Sequence, residues 1–157
     1  MTAKPAKRKT PPKGRAVVRL PDAIEIDFVI LADHAQAAQQ KLNMIGGGWN
    51  VHNTAQYPSV LPFGLGIGIL VPWTQTNRRH DFTFVIKSSE GPELIKGGGQ
   101  FEMGRGAGMP QGMTQRAIVA LNGQLQIPEA GPYEIIVTAG RSEKRIVFQA
   151  MPVQLGR

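Results

Sequence analysis

Between residues 63 and 69 the chain reads Phe-Gly-Leu-Gly-Ile-Gly-Ile. Successive side chains of a β-strand point to opposite faces, so Phe63, Leu65, Ile67 and Ile69 share one face, and Gly64, Gly66 and Gly68 the other. Strand interiors normally avoid glycine, which loses the most backbone entropy on ordering and packs nothing. Three glycines on one face therefore mean that something lies close against it, such as a neighbouring Trp or a loop, or that it is a groove for an extended ligand. Covering strand glycines with larger groups is a common device, so the packed face is the preferred reading.

This strand opens the stretch 61–86, which reads as a strand, a polar turn and a second strand. The stretch contains the longest apolar run, Trp73, and the only Arg-Arg-His cluster, Arg78, Arg79 and His80. Pro, Thr and Asn mark residues 72–80 as the turn, with Asn77 the residue suited to a left-handed backbone. An unpaired buried charge costs several kcal/mol, so two adjacent arginines cannot both point inward. One is expected to bond a carboxylate or carbonyls inside the fold, and the other to remain outside for a partner. Trp73 is expected to cap the core.

The flanking chain reads as short strands separated by Gly- and Pro-rich turns. Residues 23–32 alternate at first, placing Ile24, Ile26 and Phe28 on one face, and then turn wholly apolar. Residues 33–40, rich in Ala and Gln, suggest a helical turn or a polar loop. Residues 41–50 suggest a short strand broken by Gly46, Gly47 and Gly48, with Trp49 covering an end of the core. That glycine run lacks the helix and the Lys-Ser/Thr of a phosphate cradle. Further strands are expected at 81–87, 93–96, 100–104, 115–121, 133–139 and 144–150, with a break at Gly97, Gly98 and Gly99. Eight or nine short strands at regular spacing indicate an all-β fold, an antiparallel β-sandwich of immunoglobulin-like or C2-like type.

The charge is unevenly placed. The formal net charge is +7, and residues 1–21 hold seven cations, Lys4, Lys7, Arg8, Lys9, Lys13, Arg15 and Arg19, with no acidic residue. The other 11 Lys and Arg balance the 11 Asp and Glu of the rest of the chain. The expected division is therefore a disordered basic tail over 1–21 and a neutral sandwich domain over 22–157. No aromatic residue is interleaved in the tail, so nucleic-acid binding there would be charge-driven and blind to sequence.

Absent residue types narrow the chemistry. With no cysteine, thiolate metal sites, thiol catalysis and disulfides are excluded. No apolar run reaches the 18 or so residues of a membrane span, and the charged N-terminus does not read as a secretory signal, so a cytoplasmic protein is expected. His34, His52 and His80 stand apart, without ligands at metal-binding spacing. Asp33-His34 suits a turn-closing pair better than an acid-base pair. No cofactor, metal or catalytic residue is therefore expected. The leading reading is a non-enzymatic module that binds a protein partner through Trp73, Asn77, Arg78, Arg79, His80 and Arg105, with the tail adding attraction to polyanions. The alternative is a nucleic-acid-associated or virion protein. Weakest is an enzyme acting on an anionic substrate.

Several elements together carry a resemblance. They are Leu31-Ala32-Asp33-x-Ala35, Lys41-Leu42-Asn43-x-x-Gly46-Gly47, Pro72-Trp73-x-x-Thr76-Asn77-Arg78-Arg79-His80, Phe101-Glu102-x-Gly104-Arg105, and the late Pro128, Gly131, Tyr133 turn. The chain resembles, over about residues 24–149, a family of small bacterial and phage domains of unassigned function. The resemblance implies an all-β, sandwich-like domain and leaves activity open.

Overall fold

A computed structural model describes residues 22–154. The tail expected over 1–21, with its seven cations, lies outside the described residues. The ten strands are β1 (Glu25–Ala32), β2 (His34–Ala38), β3 (Lys41–Ile45), β4 (Val51–Thr54), β5 (Ser59–Val71), β6 (Arg79–Ser88), β7 (Glu93–Glu102), β8 (Gln115–Ile127), β9 (Gly131–Ala139) and β10 (Ser142–Pro152). They form a three-stranded sheet in the order β1-β5-β8, a five-stranded sheet in the order β4-β10-β9-β6-β7, and the hairpin β2-β3.

The two larger sheets enclose the core. From β5, Leu61, Phe63, Leu65, Ile67, Ile69 and Val71 are all buried, as the alternation requires. Facing them are Phe82, Phe84 and Ile86 of β6, Tyr133, Ile135 and Val137 of β9, and Phe148 of β10. Burying a side chain of this size contributes about 1.5–3 kcal/mol, so this layer is the main source of stability. Trp49 packs edge-on to Phe148 with ring centroids 5.8 Å apart, covering the core as expected.

The connectivity is that of an immunoglobulin-type sandwich. β5, β6, β7, β8, β9 and β10 follow the order of the B, C, C′, E, F and G strands, and β4 runs parallel to β10 at the sheet's edge. A tyrosine corner accompanies this topology. At the start of β9 the Tyr133 hydroxyl donates to the Glu129 carbonyl, 2.7 Å away, and the ring stacks on Phe148 at 5.4 Å. Tyr133→Phe keeps the ring and deletes one hydrogen bond, so chemical denaturation should show a loss of about 1 kcal/mol. A loss above 3 kcal/mol would mean that the hydroxyl does more than tie this corner.

Three local expectations are corrected. Residues 34–38 and 41–45 form an antiparallel hairpin, not a helical turn or a loop. β7 runs unbroken through Gly97, Gly98 and Gly99, because the rings of Phe84 and Phe82 lie where side chains on Gly97 and Gly99 would stand. In β1 a register shift between Ile26 and Phe28 turns the strand over, so Ile26, Val29 and Leu31 face the core and Phe28 does not. Ten strands thus replace the eight or nine expected.

The glycine face is packed. A side chain on Gly68 would collide with the Phe28 ring, one on Gly66 with Leu42 and Met44, and one on Gly64 with the backbone of His34 and Ala35. The covering groups are thus Phe28 and the β2-β3 hairpin, with no tryptophan involved. Asn122 on β8 fastens the hairpin. Its Nδ2 donates to the Ala35 carbonyl at 2.7 Å, and its Oδ1 accepts from the Ala35 N–H at 2.9 Å.

On β4, half-buried His52 has its Nε2 enclosed with no hydrogen-bond partner among the described residues. Burial holds its pKa below the ordinary 6.5. The unfolded chain then takes up this proton more readily than the folded one, so stability falls as pH drops below about 6.5 toward the folded-state value. Urea midpoints measured between pH 7.5 and 5 should decline less for His52→Gln than for the unaltered chain. Identical declines would show that His52 does not contribute.

Candidate binding surface

One end of the sandwich gathers the polar turn singled out in the sequence. β5 ends at Val71 and leads into a single 3-10 turn, Trp73–Gln75, closed by the Gln75 N–H donating to the Pro72 carbonyl at 2.9 Å. Thr76 is buried, and its hydroxyl donates to the Trp73 carbonyl at 2.7 Å. Asn77 adopts φ 56°, the left-handed backbone expected, and its N–H donates to the Met103 carbonyl at 2.8 Å. His80 bonds the Gln75 carbonyl through Nε2 at 2.7 Å and lies against the Phe101 ring. Since a carbonyl only accepts, the His80 ring carries its hydrogen at Nε2.

Arg105 is the residue that ties the turn together. From the loop after β7, its Nε donates to the Thr76 hydroxyl at 2.7 Å and its Nη2 to the Trp73 carbonyl at 3.0 Å. Its guanidinium lies 4.2 Å from the centre of the Trp73 ring. Planarity lets one guanidinium both stack on an indole and bond across it, which lysine could not do. Trp73 is thus a half-buried platform for Arg105, and the expectation that it caps the core is corrected.

The expectation for the arginine pair is corrected too. Arg78 and Arg79 are both exposed, and among the described residues neither makes an ion pair. Arg79 stands across the ladder from Glu102 without bonding it. The cation bonded within the fold is Arg105, a role that adjacency in the sequence could not assign because Arg105 is remote from the turn. Of the six residues expected to meet a partner, Trp73, Thr76-bonded Arg105, Asn77 and His80 build the loop, while Arg78 and Arg79 are displayed by it.

The histidines do not converge: His34 is exposed on β2, His52 half-buried on β4 and His80 committed to Gln75. Asp33 closes the base of the β2-β3 hairpin, its N–H donating to the Ile45 carbonyl at 3.1 Å. Among the described residues no three His, Asp or Glu side chains gather to hold a metal ion. Nor is any helix there long and apolar enough to cross a membrane.

Fold and surface together define an immunoglobulin-type sandwich that presents arginines from a loop braced from behind. The chain belongs to a family of unknown function, DUF6941, whose model matches residues 27–151. No curated protein and no solved structure matches it.

Proposed function

We propose that this protein is a non-enzymatic, cytoplasmic binding or assembly module that docks an anionic partner on the arginines of its β5-β6 turn, with the basic segment 1–21 adding long-range attraction. The observation that carries this reading is the contrast inside one loop. Trp73, Thr76, Asn77 and Arg105 bond one another or the adjoining backbone, while Arg78 and Arg79 are left exposed beside them. A braced loop presents its cations with little ordering entropy left to lose on binding. The surrounding charges steer encounter more than they add affinity.

The test compares the full chain with its Arg78→Ala/Arg79→Ala variant on immobilised heparin, duplex DNA and polyglutamate. The unaltered chain should be retained by at least one of these, and the variant should be released at distinctly lower salt with an unchanged melting temperature. Retention of neither chain on any matrix, or equal retention of both, would refute the reading.

A further inference from the structure

β7 is the last strand of the five-stranded sheet, with β6 on one side and, among the described residues, no strand on the other. Its ten residues read Glu-Leu-Ile-Lys-Gly-Gly-Gly-Gln-Phe-Glu. An edge strand presents unpaired N–H and C=O groups, and natural sheets blunt such edges with proline, short length or lysine. β7 is long, contains no proline and carries one lysine, Lys96. Lys96, Gly98, Gly99, Gln100 and Glu102 are all exposed.

The ladder with β6 decides which groups face the open side. The Phe82 carbonyl oxygen lies where a side chain on Gly98 would stand, so it is turned toward β7. Phe82 stands opposite Gly99, and these two therefore form a hydrogen-bonded pair. Bonded and non-bonded pairs alternate along an antiparallel ladder. The N–H and C=O groups of Lys96, Gly98, Gln100 and Glu102 accordingly point away from β6, into the open edge. The side chains of Lys96, Gln100 and Glu102 share the outer face of the sheet, because the residues opposite them alternate with the core-facing Phe82, Phe84 and Ile86.

We infer that β7 pairs antiparallel with β7 of a second copy, across a two-fold axis at Gly99, and joins the two five-stranded sheets into one. A two-fold interface must be self-complementary, and a ladder must set outward-pointing residues opposite one another. Several registers meet both conditions, and they differ in what they oppose. With the axis at Gly98, Lys96 meets Gln100 and Leu94 meets Glu102. With the axis at Gln100, Gly98 meets Glu102 and Lys96 meets Gly104. With the axis at Gly99, Lys96 of each copy meets Glu102 of the other, and Gly98 meets Gln100. Among these registers this one sets unlike charges directly opposite, twice by symmetry, and such cross-strand pairs favour a register. The lysine that blocks a general partner thereby selects this one. Neither Lys96 nor Glu102 forms an ion pair among the described residues. The edge strand β8 carries Arg116 as its single charged residue and offers no such match. The pairing uses neither Arg78 nor Arg105, so it stands apart from the docking role proposed above.

Sedimentation equilibrium of the full chain over a range of concentrations tests the pairing. The unaltered protein should approach twice the 17.0 kDa of one chain. Lys96→Glu sets two glutamates opposite each other on both sides of the axis and should weaken association at least about tenfold. Lys96→Glu/Glu102→Lys restores the opposition with its sign reversed and should recover association to within about threefold of the unaltered chain. Circular dichroism verifies that each variant is folded, and Glu102→Lys, at a second exposed position, repeats the loss should Lys96→Glu fail to fold. A monomer at every concentration would overturn the inference. Association unchanged by both single variants would place the contact on another surface and overturn it equally, as would a loss in the single variants that the double variant does not recover.

Discussion

Gly64→Val is expected to lower stability by about 3 kcal/mol, at the upper end of what overpacking usually costs. A Cβ on Gly64 would stand 2.6 Å from the Ala35 nitrogen and 2.7 Å from the His34 carbonyl carbon. Those are backbone atoms of β2 and cannot rotate aside. The hairpin would have to lift, and both bonds between Asn122 and Ala35 would stretch. Gly66→Ala is the informative contrast. Its Cβ would meet the Leu42 methyls at 2.5 and 3.0 Å, tips that another rotamer can withdraw, so about 1 kcal/mol is expected. Urea unfolding of both variants separates the cases. Equal and small losses would show that the hairpin does not sit on the sheet as described.

Arg105→Ala carries the second large effect. The change removes two charge-assisted hydrogen bonds, to the Thr76 hydroxyl and the Trp73 carbonyl, and uncovers the indole. Hydrogen bonds to charged groups contribute about 1.5–3 kcal/mol. Solvent reaches this arginine, so about 2 kcal/mol is the expected loss, or roughly 4–8 °C of melting temperature for a domain of this size. Arg78→Ala and Arg79→Ala, at exposed positions without partners among the described residues, should each stay within about 0.5 kcal/mol of the unaltered chain. Thermal melts of the three variants distinguish a brace from displayed cations. A neutral Arg105→Ala, or a large loss at Arg78 or Arg79, would reverse these assignments.

The sandwich was legible because its central strand alternates without ambiguity: each odd residue from Leu61 to Val71 is buried. The same alternation marks the glycines on the other face as a packed surface, but carries no sign of Phe28 and the β2-β3 hairpin that cover them. Residues 33–40 have the Ala and Gln content of a helix former, and that local preference yields to the tertiary demand for a thin layer over Gly64 and Gly66. The phase of β1 was hidden for a different reason. A bulge changes which residues face inward without changing the polarity of any of them, so Phe28 looked like a partner of Ile26. Gly97 to Gly99 looked like a break because the sequence does not show that Phe82 and Phe84 occupy the missing side-chain volume.

At the loop end the sequence marked the right turn and misassigned its parts. Asn77 was readable, since a left-handed turn position favours a short polar side chain. The brace was not. Arg105 reaches Thr76 across 29 residues, and nothing local distinguishes it from Arg78 or Arg79.

The central claim is that the turn is held still while its arginines stay free, and amide exchange at Asn77 tests it most directly. This N–H donates to the Met103 carbonyl across the loop. Hydrogen exchange read by NMR should show the Asn77 amide protected in the unaltered chain and in Arg78→Ala/Arg79→Ala, and markedly faster in Arg105→Ala. Exchange of Asn77 at the rate of an open chain in the unaltered protein would contradict the account, because a turn that opens freely presents no fixed surface to a partner.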